Sequence, residues 1–107
     1  MAESHEIKRY KYYTFSSRDE SKANTVILLY SDTEYLGGVF FSNDEDTPLE
    51  PAVKYASGIY GLRYRYADLP VIIDMLRNEK PVYLSYDGER NSRLSTTSEP
   101  VGEGEDM

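Results

Sequence analysis

Cysteine and tryptophan are missing from this 107-residue chain, and histidine occurs once. Without cysteine there is no disulfide framework, no thiol nucleophile and no cysteine-based zinc site. With one histidine, His5, in a stretch expected to fray, neither a catalytic triad nor a transition-metal cage is easily assembled. Long apolar runs are also lacking. None approaches the ~20 residues a membrane span needs, and "MAESHEIKRY" carries no hydrophobic signal region. No glycine-rich phosphate loop follows a strand and opens a helix. The acidic run Asn43-Asp44-Glu45-Asp46 lacks the glycine and terminal glutamate of a calcium loop. These absences lead us to expect a soluble cytoplasmic protein that is not an enzyme, needs no cofactor or metal and does not enter a membrane.

Tyrosine is abundant: eleven residues, beside three phenylalanines. Its apolar ring and polar tip suit half-buried sheet faces and contact surfaces. The net charge of −7 is unevenly placed. Four acids lie in "DEDTPLE" and four in "EPVGEGEDM". Setting those eight aside leaves 19 − 8 = 11 acids against 12 basic residues. The remainder is near neutral, and the acidity belongs to two segments of loop-like composition.

Periodicity then orders the chain. Residues 6–15 alternate imperfectly and read as a half-exposed strand, with Arg9, Lys11, Tyr13 and Phe15 on one face and Lys8, Tyr10, Tyr12 and Thr14 on the other. "TVILLY", 25–30, is apolar on both faces, as in a central strand. "YLGGVFF", 35–41, follows, with Gly37 and Gly38 signalling a bend, a bulge or a close backbone approach. Residues 42–57 read as a loop with room for a helical turn near 51–55. In 58–66, Gly61, Arg63 and Arg65 alternate with Tyr60, Leu62 and Tyr64. A helix is predicted over 68–80. Asp68 is its candidate N-cap, Pro70 lies in its first turn, and Leu69, Ile72, Ile73 and Leu76 keep helical spacing. "PVYLSY", "DG" and "NSRLSTT" read as a closing hairpin. The result is one α+β domain over 1–98, a strongly curved antiparallel sheet (β-β-β-β-α-β-β) with one main helix, and an acidic tail over 99–107 expected to be disordered.

The stretch "GLRYRYADLP" carries the functional question. Arg63 and Arg65 point the same way, roughly 6–7 Å apart, close to the spacing of successive phosphates. Lys8, Arg9 and Lys11, with Tyr10 and Tyr12, repeat the mixture of cation and ring. Such surfaces bind single strands, cations on phosphates and rings on bases. The alternative is structural, because edge strands carry Arg and Lys to prevent sheet-on-sheet association.

The segments "LLYSDTEYLGGVFF", "YRYADLPVIIDMLRNEKPVYLSYDG" and "RLSTTSEPVGEGE" resemble small uncharacterised cyanobacterial proteins. Those proteins are placed in the helix-swapped single-stranded-DNA-binding coactivator fold, the transcriptional positive cofactor four family. The resemblance implies a curved four-stranded sheet followed by one helix, single-stranded DNA as ligand and a homodimer through the helices. The dimer residues would be Leu69, Ile72, Ile73 and Leu76, since the helix stripe is wider than one small sheet need cover. The chain departs from that family in its hairpin after the helix, its acidic tail and its lack of lysine-rich character. Two functions follow as expectations. One is a nucleic-acid-binding or transcription-regulatory module using Lys8, Arg9, Lys11, Arg63 and Arg65 with stacking by Tyr10, Tyr12 or Tyr64. The other is a protein-interaction or assembly factor using the tyrosine-rich surface and the acidic tail.

Overall fold

A computed structural model describes residues 3–16, 24–42, 48–88 and 91–96. The acidic run 43–47 and the tail from 97 lie outside the described residues, and so does the expected boundary at 98/99. The chain is α+β, as read, but its strands form two sheets. A five-stranded sheet has the order β2-β3-β4-β6-β5, and a three-stranded sheet the order β1-β7-β8. The strands are β1 (Glu3–Ile7), β2 (Arg9–Thr14), β3 (Thr25–Tyr30), β4 (Tyr35–Ser42), β5 (Val53–Lys54), β6 (Tyr60–Arg65), β7 (Val82–Tyr86) and β8 (Arg93–Thr96).

Three features depart from the single antiparallel sheet. The stretch read as one first strand is two, β1 and β2, joined at Lys8 and belonging to different sheets. At the join, the Lys8 amide donates to the Tyr30 carbonyl at 2.8 Å. Second, β4 and β6 pair in parallel, while every other pair is antiparallel. A parallel pair needs a long connection, and residues 43–59, β5 among them, lie between β4 and β6. Third, residues 51–55 form no helical turn. They hold β5, which returns through a tight turn into β6, with the Tyr55 amide donating to the Ile59 carbonyl and the Gly58 amide to the Tyr55 carbonyl, both 2.8 Å.

The meander β2-β3-β4 and the hairpin β7-β8 match the periodicity. The hairpin turn is closed by side chains: the Asp87 amide donates to Ser92 Oγ at 2.9 Å, and Ser92 Oγ to the Gly88 carbonyl at 2.7 Å.

The helix α1 spans Leu69–Asn78, behind a 3-10 turn over Tyr66–Asp68. Asp68 is in helical conformation and makes no side-chain cap, contrary to the expectation. The turn closes by backbone instead, the Leu69 amide donating to the Tyr66 carbonyl. Pro70 falls in the first turn, Arg77 in the last, and the helix stops short of Pro81.

The core lies between the inner faces of the two sheets and α1. Ile27, Leu29, Val39, Phe41, Leu62 and Leu84 are fully buried there, each side chain contributing about 1.5–3 kcal/mol of burial. Ile72 is buried in the same cluster, with Leu69, Ile73 and Leu76 packed against it. The helix stripe is broad because it helps close a core between two sheets. All four residues expected at a helix-mediated dimer face the chain's own interior.

Candidate functional site

Cross-strand register decides which side chains share a face, because directly opposed residues point the same way. Across the five-stranded sheet, Lys11 opposes Leu28, Leu28 opposes Gly38, and Gly38 opposes Gly61. One step along, the row is Tyr13, Val26, Phe40 and Arg63. Arg9 opposes Tyr30 at one end, and Ser42 opposes Arg65 at the other. Arg9, Lys11, Arg63 and Arg65 therefore lie on one face, the one turned away from the core. Strands β2 and β6 are three spacings apart, roughly 14 Å, so the cations form two pairs at opposite corners.

Aromatic rings fill the space between them. Gly38 and Gly61 make a floor without side chains. A Cβ on Gly38 would meet the Phe40 ring at 3.0 Å, and one on Gly61 the Tyr55 ring at 3.2 Å. The absence of these two side chains lets the rings lie down on the sheet. Tyr30 and Tyr35 pack at 5.6 Å between centroids, and Tyr13 and Phe15 meet edge to face at 5.2 Å. Burial, followed by the neighbouring hydroxyls of Tyr30, Tyr13 and Tyr55, pushes the Tyr35 hydroxyl above its ordinary pKa. Tyr35 and Tyr55 each stay 40 % exposed, enough to offer ring surface to a ligand.

Cations cover ring faces as well. The Arg9 guanidinium lies 4.9 Å from the Tyr30 centroid, and that of Arg63 lies 4.6 Å from Phe40, within cation–π range. Arg9 Nε donates to the Asp32 carbonyl at 3.0 Å. Arg63 faces the exposed Glu50 at 3.6 Å, and its buried Nε has no partner among the described residues. The described strand positions of this face hold no acidic residue, although the chain as a whole carries −7.

The tyrosines expected to stack are elsewhere. Tyr10, Tyr12 and Tyr64 fall on the inner face, in the rows of Leu29, Ile27 and Phe41. Tyr10 and Tyr64 pack against the core, and Tyr64 stacks on Phe41 at 5.9 Å. Burial raises the Tyr64 hydroxyl pKa. Tyr12 is exposed at the sheet edge. Lys8 sits at the strand junction beside Glu6, at 3.6 Å. The rings that do accompany the cations are Tyr13, Phe15, Tyr30, Tyr35, Phe40 and Tyr55. Period two alone groups Tyr13 and Phe15 with Arg9 and Lys11, so that signal was available in the sequence. Tyr55 had none, since it belongs to a turn.

No family model, curated protein or solved structure matches the chain. Among the described residues there is no cluster of His, Cys, Asp or Glu able to hold a metal, and no helix is long and apolar enough to cross a membrane.

A second polar group lies at the rim of the core. Far from fraying, His5 belongs to β1, and its Nε2 is 3.1 Å from the Tyr60 hydroxyl. That hydroxyl donates to Glu3, which also accepts from Lys54 at 2.7 Å. The bond from Lys54, then that from Tyr60, holds the Glu3 carboxyl below its ordinary pKa. Burial, then Glu3, raises Tyr60. The contacts tie β1 to β5 and β6, and so one sheet to the other. A lowered carboxylate pKa contributes stability above the unfolded value and loses it as pH falls through the folded value. Glu3→Gln is therefore expected to lower the urea midpoint at pH 7, with the difference from wild type vanishing in acid. A difference that did not shrink as pH fell below the unfolded carboxylate value and on through the lower folded one would refute the linkage.

Proposed function

We propose that the outer face of the five-stranded sheet is a non-catalytic binding surface for single-stranded nucleic acid, in the manner expected of the coactivator fold. One observation carries the reading. In a strongly acidic protein, the described strands of this face carry four cations and exposed rings, and Glu50, which faces Arg63, comes from outside those strands. Phosphates would sit at the Arg9–Lys11 and Arg63–Arg65 corners, and bases would stack on Tyr35, Tyr55 and Tyr13. Stacking of this kind tolerates any sequence, since every base has a π-face.

Wild type is expected to bind a labelled oligonucleotide with Kd below about 0.1 mM at about 50 mM salt, tighter than the weak end of non-specific contact. Replacing Arg63 and Arg65 together by Ala should weaken binding. It should also flatten the dependence of log affinity on log salt by about 1.4, roughly 0.7 for each lost phosphate contact. Fluorescence anisotropy over a salt series measures both. No binding by wild type, or an unchanged slope in the double variant, would remove the proposal and leave the exposed rings as a contact surface for a protein.

A further inference from the structure

A cleft of about 320 Å³ opens where the β1–β2 junction passes the end of α1, a size at the lower end of small-molecule pockets. Four cations line it: Lys8 and Arg9 from the junction, Arg77 and Lys80 from the helix end. Its apolar walls are Ile7, Leu76 and Val82, with the half-buried ring of Tyr10 beside them. Two carboxylates, Glu6 and Glu79, complete the ionisable lining and leave it net positive. Arg9 belongs both to this cleft and to the outer face, so the two surfaces join around the corner of the sheet.

We infer that this cleft binds a nucleoside monophosphate unit, either free or as the phosphorylated end of a strand lying on the outer face. The second of these sources rests on the function proposed above; the first does not. The lining asks for three things in one ligand: an anion for the cations, a flat apolar body for the walls, and donors for the carboxylates and for the carbonyl end of α1. A simple amphipathic anion such as a fatty acid supplies only the first two and brings no donor to Glu79 or to the helix end, while Glu6 is already paired with Lys8 at 3.6 Å. A phosphate, a base and ribose hydroxyls supply all three. The negative end of the helix dipole disfavours an anion on the helix axis. That directs the phosphate toward Lys8 and Lys80, the Arg9 guanidinium being held on the Tyr30 ring and the Asp32 carbonyl, and the hydroxyl and amino groups toward the helix end.

Calorimetry of the full chain with AMP, adenosine, inorganic phosphate and dodecanoate tests the cleft. AMP is expected to bind saturably below about 10 mM, and more tightly than each of the other three. Arg77→Glu combined with Lys80→Glu should weaken AMP at least about tenfold, because two exposed cations become repulsive. Both residues are exposed, so the fold should survive, and a circular dichroism melt verifies it. Arg63→Ala with Arg65→Ala should leave AMP binding unchanged. Absence of saturable AMP binding, tighter binding of dodecanoate, or indifference to the Arg77/Lys80 pair would each overturn the inference. Anisotropy with 5′-phosphorylated and unphosphorylated oligonucleotides separates the sources. A preference for the phosphorylated strand that disappears in the Arg77/Lys80 variant places a strand end in the cleft. AMP binding without that preference assigns the cleft to the free nucleotide. If AMP binds while no oligonucleotide does, the outer-face reading fails and the cleft stands. The reverse result sinks the cleft alone.

Discussion

Gly37→Ala is expected to destabilise the protein by about 3 kcal/mol or more, within reach of unfolding a domain of this size. Gly37 opposes Tyr60 across the parallel pair β4–β6. A Cβ there would overlap the Tyr60 carbonyl oxygen and stand 2.8 Å from the carbonyl carbon and amide nitrogen of the same residue. Backbone cannot swing aside as a side chain can, so relief requires the two strands to separate. The residue's φ of 154° is also one that side chains rarely adopt. Gly58→Ala is the control. Gly58 has a φ of 91° but open space around it, so only the conformational cost applies, about 1 kcal/mol. Thermal melts should show a fall of more than about 10 °C for Gly37→Ala and a much smaller one for Gly58→Ala. Equal shifts would mean that the close approach of β4 to β6 is not what the glycine serves.

Ile72→Asp should abolish cooperative folding. Ile72 is 5 % exposed and joins the central cluster with Ile27, Leu29 and Leu84. An unpaired carboxylate there loses its hydration with nothing in return, a cost above about 4 kcal/mol. Its neighbour Val71 is 64 % exposed, so Val71→Asp should change stability by no more than about 0.5 kcal/mol. Ile73→Asp should fall between them, since Ile73 is partly buried against the cluster. Urea titration followed by tryptophan-free far-UV circular dichroism ranks the three. A wild-type transition for Ile72→Asp would mean that the inward face of α1 is wrongly assigned.

Local patterns were legible in the sequence, and partner choice was not. The i, i+3, i+4 spacing of Leu69, Ile72, Ile73 and Leu76 located the helix, alternation located β6 and, imperfectly, β2, and the apolar runs 25–30 and 35–41 located β3 and β4. The two glycines signalled a bend, a bulge or a close approach, and the close approach is found at Gly37. Nothing local says that β6 lies parallel to β4, since both runs would serve an antiparallel neighbour equally well. The break at Lys8 carries no glycine or proline, and its alternation looks continuous. It exists because Glu3–Ile7 pairs with Val82–Tyr86, far along the chain. The strands of the candidate face were placed by the same alternation that separates Arg63 from Tyr64. Grouping Tyr10, Tyr12 and Tyr64 with the arginines favoured neighbours in sequence over neighbours in space. Asp68 had the composition of a cap, but the preceding 3-10 turn leaves it nothing to cap.

The partnership of β1 with β7 joins residues far apart along the chain. The meander β2-β3-β4 joins neighbours and can form from short loops. The three-stranded sheet needs nearly the whole chain, since its first strand begins at Glu3 and its central strand ends at Tyr86. Closing such long-range contacts late is slow. On a ribosome, the first strand would leave the exit tunnel well before its partner exists, so β1 must stay unpaired until translation has passed the helix. Glu3 and His5 come from β1 and Tyr60 from β6, so their contact reports that the two sheets have been brought together.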